Sequence, residues 1–134
     1  MPKSVHELLL SDLLAGLPDE ACGLLGGQQH GDRCVVDRWY RSENVAASSR
    51  IYTIDPKTHL RADRDAEDRG AAIVGVVHSH THTDPFPSPT DVAQAPDPDW
   101  HYVIVSFRMG EPMLRSYRII EGIITEEPVL VVGG

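Results

Sequence analysis

The sequence has few cysteines, few aromatic residues and no long apolar run. Only two of the 134 residues are cysteines, Cys22 and Cys34, which is too few for a disulfide framework and includes no Cys-x-x-Cys pair. No apolar stretch approaches the roughly 18 residues that a membrane-spanning helix needs. The Leu8–Leu10 run is also too short for a secretory signal peptide. We therefore expect no membrane partner, free thiols buried in strands, and a reducing cytoplasm as the compartment.

Basic residues are scarce relative to acidic ones. The chain has 12 lysines and arginines against 20 aspartates and glutamates, for a formal net charge of −8. A protein that binds nucleic acid needs a basic surface for the phosphates, so we expect no nucleic-acid partner. With 41% hydrophobic and 24% charged residues, the chain is typical of a globular protein. We interpret residues 1–134 as one domain.

The spacing of apolar residues predicts a mixed β-sheet flanked by helices. Helices are predicted at about 4–15, starting with a capping box at Ser4–Glu7, at about 56–69, and from Ser88 to near Pro96. Strands are predicted at 20–25, 34–40, 51–54, 71–77, 100–107, 113–120 and 123–132, with a turn at 26–31.

Three histidines, His78, His80 and His82, follow the buried strand at alternate positions. Alternate residues of a strand face the same side and lie roughly 6.5–7 Å apart, so His78 and His80 can converge on one metal ion. Two interpretations of His82 remain open. It is a third metal ligand if the strand continues through it, and otherwise an exposed or substrate-contacting side chain.

The sequence Ser88-Pro89-Thr90-Asp91 is typical of a helix start. Serine suits the N-cap, proline suits the first helical position, and Asp91 at the third position would complete a capping box. Capping alone would explain these residues. The histidines upstream add a second interpretation, in which Asp91 completes a His-His-Asp site. Zinc bound by three protein ligands keeps its fourth position open, which is the catalytic arrangement.

The order His78-Ser79-His80, seven residues, Ser88, two residues, Asp91 resembles the JAMM (MPN-plus) metalloprotease motif. The segment Glu20–Gly27, which begins with a glutamate and continues through small and apolar residues, is similar to the upstream glutamate element of the same family. One difference is Thr81, which stands where the family often has proline.

The resemblance to the JAMM family implies a fold, a metal and a set of roles. The implied fold is a single α/β domain similar to cytidine deaminases. The implied ligands of a Zn²⁺ ion are His78, His80 and Asp91, with Glu20 as general acid and base and Ser88 as donor to the oxyanion. The implied reaction is hydrolysis of a peptide or isopeptide bond.

Three segments, Asp19–Gly23, His78–Thr81 and Leu114–Ile119, also resemble the bacterial family members that remove cysteine from the C-terminus of a ubiquitin-like sulfur-carrier protein. This resemblance implies cleavage after the Gly-Gly of such a carrier. Two other functions remain open, a zinc amidohydrolase acting on a small molecule and a non-catalytic MPN-type scaffold. A scaffold has no physical need for all five motif residues, which argues against it.

Overall fold

The computed structural model describes residues 1–48, 51–95 and 97–133. Its elements are α1 (Lys3–Ala15), β1 (Cys22–His30), β2 (Arg33–Ser42), α2 (Pro56–Asp68), β3 (Ala72–His80), α3 (Pro89–Ala93), β4 (His101–Ser106), β5 (Met113–Ile120) and β6 (Ile123–Glu127). Within these residues the six strands form one sheet in the order β2-β1-β3-β4-β5-β6. Only β3 and β4 pair in parallel; the other neighbours are antiparallel. The predicted mixed sheet with flanking helices is confirmed.

The sheet has a hydrophobic core on each face. Successive residues of a strand point to opposite faces, so Val77 packs with α1 residues such as Leu9, while Val76 packs with Ala62 of α2. Because both faces are covered, the central strands are apolar almost throughout, as in parallel sheets. Full burial of one such side chain contributes about 1.5–3 kcal/mol. The β3 strand that carries the two histidines is therefore held firmly on both sides.

The first helix begins at Lys3 without the predicted capping box. Its N-cap is Pro2, in an extended conformation with φ −62° and ψ 146°, and among the described residues no side chain caps it. The carbonyl of Pro2 already accepts from the N–H of His6 at 3.0 Å, so Ser4 lies inside the first turn. The prediction of a box at Ser4–Glu7 is wrong for this reason.

The first strand is shifted relative to its prediction. It begins at Cys22, which leaves Glu20 in the preceding connection, and continues through Gly26 and Gly27, which we predicted as a turn. These glycines allow β2 to approach closely, since a Cβ on Gly27 would lie 2.1 Å from the carbonyl oxygen of Val35. The turn itself comes later, at Gly31, which has a positive φ of 60°.

Two other predicted strands differ from the structure. Residues 51–54 are described and contain no strand, and only an isolated bridge joins Ile54 to Asn44. The last strand ends at Glu127 rather than at residue 132, because Pro128 has no N–H to continue the ladder. The short helix ends at Ala93, and Pro96, near which we predicted its end, lies outside the described residues.

The two thiols are free, with Cys22 buried and Cys34 half-buried. None of the helices in the described part of the chain combines the length and apolarity needed to cross a membrane.

Candidate metal centre

The carboxyl end of β3 brings His78 and His80 to the centre of the sheet. His78 pairs with Cys22 of β1 on one side and with Ile104 of β4 on the other. Both imidazoles are buried, with exposed fractions of 2% for His78 and 4% for His80. A strand paired along both edges has no freedom to change this spacing. The predicted shared face of the two histidines is confirmed by their Nε2 atoms, which lie 3.2 Å apart.

Asp91 completes a triangle with the two imidazoles. Its Oδ2 lies 3.2 Å from Nε2 of His78 and 3.1 Å from Nε2 of His80. The capping box of α3 holds the carboxylate there, because Oγ of Ser88 accepts from the N–H of Asp91 at 3.0 Å and Oδ2 accepts from the N–H of Ser88 at 2.8 Å. The predicted capping box is confirmed. The same box aims the carboxylate at the histidine pair.

Contacts to the loop after β3 fix the orientation of His80. Its Nδ1 lies 2.8 Å from the carbonyl oxygen of Asp84. A carbonyl only accepts, so Nδ1 carries the proton and the neutral ring presents a lone pair on Nε2. Ser106 donates to the carbonyl of Thr83 at 2.5 Å, and Arg108 pairs with the Asp84 carboxylate at 2.5 Å. The end of β4 and the turn after it thus hold the loop that orients His80.

The titration of the three groups follows from their burial and mutual contacts. Burial lowers the pKa of His78, although Asp91 acts in the opposite direction. Burial also tends to lower the pKa of His80, but hydrogen bonds to Asp91 and to the carbonyl of Asp84 raise it overall. Burial raises the pKa of Asp91, yet the contacts with His78 and His80 outweigh it and hold this pKa far below its usual value. Asp91 is therefore a carboxylate throughout the physiological range.

Glu20 lies beside this triangle, on the connection before β1. One of its carboxyl oxygens and one ring nitrogen each of His78 and His80 all lie within 4.8 Å of one another. Its Oε1 is buried and has no hydrogen-bond partner among the described residues. Burial raises the pKa of Glu20 to about 7, His80 acts against this, and Asp91 adds to it. A carboxyl with a pKa near neutrality can both take and give a proton at physiological pH.

Ser79 attaches the Glu20 segment to β3 from the opposite face of the strand. Its Oγ accepts from the N–H of Ala21 at 2.8 Å, and its N–H donates to the carbonyl of Ala21 at 2.9 Å. The side chain is fully buried. The histidine strand and the residue next to Glu20 therefore move together.

Tyr52 stacks on His78 and also lines an adjacent cavity. The two rings stack with centroids 4.2 Å apart and 16° between their planes. Beyond the tyrosine is a cavity of about 270 Å³, with Leu24, Val76 and Trp100 among its lining residues. The sequence indicated a strand at 51–54 and gave no sign of this contact, because the partner of Tyr52 lies 26 residues further along the chain.

His82 lies beyond the end of β3, and its side chain is exposed. The strand alternation that would have brought it beside His80 stops two residues earlier. The Nε2 atoms of both imidazoles contact Asp91, which favours the carboxylate over a three-histidine arrangement.

The three converging atoms fit a zinc ion. A tetrahedral ion with bonds of about 2.0–2.2 Å holds its ligand atoms roughly 3.3 Å apart, and the separations here are 3.1–3.2 Å. Two buried imidazoles and one carboxylate are a common donor set for zinc. Glu20 could also face the ion, but Asp91 is the carboxylate in contact with both rings. The assignment of His78, His80 and Asp91 as ligands stays a prediction.

Comparison with known proteins places these observations in a family. The family of prokaryotic homologs of the JAB domain matches residues 2–120. The CysO-cysteine peptidases of Mycobacterium bovis and Mycobacterium tuberculosis are each 46% identical over 116 residues, 86% of this chain and 78% of theirs. The solution structure of a protein from Desulfitobacterium hafniense has 33% sequence identity and a TM-score of 0.90, and the match covers 100% of this chain and 94% of that one. A JAB1/MPN domain protein of Archaeoglobus fulgidus, with 22% identity and a TM-score of 0.66 over 98% and 97% of the chains, shares the fold.

The family match covers most of the sequence, and the similarity to named peptidases indicates that this chain is a peptidase. It includes the segments with the glutamate, the two histidines, the serine and the aspartate, which the structure brings to one end of β3. The JAMM resemblance of the motif is thereby confirmed, and this chain belongs to the prokaryotic homologues of the JAB domain, within the JAMM/MPN family.

Proposed function

We propose that this protein is a zinc-dependent peptidase that cleaves the bond after the C-terminal Gly-Gly of a ubiquitin-like sulfur-carrier protein and releases cysteine. The observation that carries the proposal is the position of Glu20. It is a buried carboxyl without a partner for Oε1 among the described residues, beside the two imidazoles that contact Asp91. The similarity to the CysO-cysteine peptidases supports the choice of substrate.

The proposed roles follow from the atoms that each residue presents. Zinc held by His78, His80 and Asp91 would supply positive charge that acidifies a water molecule and polarises the scissile carbonyl. Glu20 accepts the proton that the attacking water loses as its oxygen joins the carbonyl carbon. When the C–N bond breaks, Glu20 delivers this proton to the leaving amine. The carrier keeps the new carboxylate.

Ser88 can serve the capping box and the reaction together. Its Oγ accepts from the N–H of Asp91, and a hydroxyl has one hydrogen to donate in addition. In the proposed mechanism this hydrogen goes to the oxygen of the scissile carbonyl as negative charge develops there. A single donor of this kind contributes about 2.7–4 kcal/mol in comparable sites.

The shape of the site also favours a tail without side chains. The candidate ligands are buried, with exposed fractions of 2% for His78, 4% for His80 and 7% for Asp91, so the walls around them lie close. A Gly-Gly tail can bring its carbonyl close to a metal because it has no Cβ atoms to clash with such walls. Both thiols of the chain are free, which agrees with the reducing cytoplasm that we expect for this function.

The test uses the zinc-loaded protein and a carrier that ends in Gly-Gly-Cys. Mass spectrometry should show loss of one cysteine residue from the carrier, and Glu20→Gln should abolish the loss while retaining the metal. A carrier ending in Gly-Val-Cys is the matched substrate control and should be cleaved poorly. Turnover of a small acyl-amino acid without cleavage of any carrier would instead identify an amidohydrolase, and absence of both reactions would identify a scaffold.

A further inference from the structure

The side chain of Asn44 connects two segments that meet beside the candidate metal centre. Its Oδ1 accepts from the N–H of Ala46 at 3.1 Å and from the N–H of Thr53 at 2.9 Å. Its Nδ2 donates to three backbone carbonyl oxygens, those of Glu20 at 2.7 Å, Ile51 at 3.0 Å and Ser48 at 3.5 Å. One side chain therefore makes five hydrogen bonds, all to backbone groups.

The shortest of these bonds holds the backbone of Glu20. This residue precedes β1, so the sheet does not fix its own N–H and carbonyl. The N–H of Glu20 donates to the carbonyl of Ser48 at 2.7 Å, and its carbonyl accepts from Asn44. The loop that contains Asn44 thus supplies the partners of both backbone groups.

The same amide fixes the segment that carries Tyr52. The carbonyl of Ile51 and the N–H of Thr53 flank the tyrosine, and both bond to Asn44. Together with the backbone bond from the N–H of Val45 to the carbonyl of Thr53 at 3.1 Å, these bonds hold the segment in place although it forms no strand. The ring of Tyr52 then lies on His78.

We propose that Asn44 is a positioning residue that fixes the Glu20 carboxyl and the Tyr52 ring relative to His78. A purely structural role would be an Asx-turn, in which Oδ1 of Asn44 accepts from the N–H two residues on. Aspartate forms that turn equally well. The bonds to the carbonyls of Glu20 and Ile51 need an N–H donor, however, which asparagine has and aspartate lacks.

The experiment compares Asn44→Asp with Ser116→Ala as a matched control. Ser116 is buried and donates to Glu127 at 2.7 Å, so its removal costs a hydrogen bond without touching Asn44, Glu20 or Tyr52. Displacement of a catalytic group by about 1 Å can lower a rate about 10²-fold. In zinc-saturated protein we expect Asn44→Asp to lower kcat about 10- to 100-fold, with KM within about threefold of the wild type.

The kinetic part rests on the proposed function, so a second measurement is independent of turnover. Amide hydrogen exchange of the metal-free protein should show faster exchange of the Glu20 N–H in Asn44→Asp, by about tenfold or more, and an unchanged rate in Ser116→Ala. A wild type that cleaves no substrate would refute the proposed function, and exchange would still decide the role of Asn44. Unchanged Glu20 exchange, or a wild-type kcat in Asn44→Asp, would overturn the inference.

Discussion

The ring of Tyr52 stacks on the imidazole of His78, whose Nδ1 atom makes no hydrogen bond to the described residues. The ring centroids lie 4.2 Å apart. Metal-binding histidines usually donate the N–H of their other ring nitrogen to a carbonyl or carboxylate that sets the ring orientation. For His78 the aromatic face supplies that constraint, whereas His80 has the usual arrangement with the carbonyl of Asp84.

The first prediction is that the ring of Tyr52 matters and its hydroxyl does not. Tyr52→Phe keeps the stacking surface, so it should bind zinc as the wild type does. Tyr52→Ala leaves His78 free to rotate and should weaken zinc binding by about tenfold, the lower end of losses seen when outer partners of a metal ligand are removed. Competition with a chromophoric chelator measures both. Equal affinity in the alanine variant would show that β3 alone orients the ring.

The second prediction concerns metal content. We expect about one zinc per chain in the wild type, and strong depletion in His78→Ala and Asp91→Ala, because each removes one of three ligands. His82→Ala is the matched control, since it changes an exposed histidine two residues from the site. Elemental analysis of dialysed proteins provides the measurement. Full zinc content in Asp91→Ala together with loss in His82→Ala would reverse the choice of third ligand.

The third prediction separates the two roles of Ser88. Removing the cap in Ser88→Ala should destabilise the protein by about 1 kcal/mol, while removing the donor should lower kcat by about 10²- to 10³-fold. Ser88→Thr retains a hydroxyl and should therefore keep most of the stability and most of the kcat of the wild type. Urea unfolding and steady-state kinetics on the carrier measure the two effects. A loss of stability at unchanged kcat would restrict Ser88 to capping.

The fourth prediction is that the end of β4 and the turn after it contribute to metal affinity through His80. Ser106→Ala removes the bond to the carbonyl of Thr83 and should weaken zinc binding by about tenfold. Arg108→Ala breaks an exposed ion pair with Asp84 and should have a smaller effect. The control is Ser116→Ala, the same substitution at another buried serine, which should bind zinc normally. The prediction fails if the two serine variants have the same zinc affinity.

The fifth prediction concerns stability against pH, at a site far from the metal centre. Contacts with Cys34 and with Glu127, whose Oε2 lies 2.5 Å from Nδ1, raise the pKa of His101 from 6.5 to about 9. Because the folded-state pKa is raised, this stabilisation is fully present below about pH 6.5. It is lost as the pH rises through about 9. The pKa of Glu127 is lowered from 4.5, since the bonds from His101 and Ser116 outweigh burial, so its own contribution is lost as the pH falls below 4.5.

Urea unfolding of the wild type and of Glu127→Gln at pH 6 and pH 9.5 tests this linkage. At pH 6 the variant should be less stable, by on the order of 2 kcal/mol, and the difference should shrink at pH 9.5. An equal difference at both pH values would show that the pair contributes packing rather than charge.

Strand and helix rules related only the part of the site that is local in the chain, whereas Glu20 was related to it by the resemblance to the JAMM family. His78, His80, Ser88 and Asp91 lie on one strand and the helix cap that follows it, so strand alternation and capping rules relate them directly. Most of the sheet was predictable for a similar reason, because burial on both faces leaves long apolar runs in the central strands.

The contacts of Asn44 and Tyr52 were not predictable, because they depend on residues distant in sequence. Asn44 reaches Glu20 across 24 positions. The β-branched and aromatic residues at 51–54 favour a strand, but the segment is held in part by bonds to the amide of Asn44 and forms no strand. The turn predicted at Gly26–Gly27 failed for another reason. These glycines allow close strand packing, which sequence pattern does not distinguish from a turn.

The pairing of β3 along both edges also bears on which ions the site can accept. Since β3 is paired along both edges, the backbone positions that carry the two histidines are fixed before an ion arrives. Small ions that accept tetrahedral nitrogen and oxygen ligands, such as Zn²⁺, match 3.2 Å without distortion of the strand. Calcium, which needs six to eight oxygen ligands at about 2.3–2.6 Å, is poorly matched by two imidazole nitrogens and one carboxylate. We therefore expect the fixed strand and the donor atoms together to favour zinc over calcium.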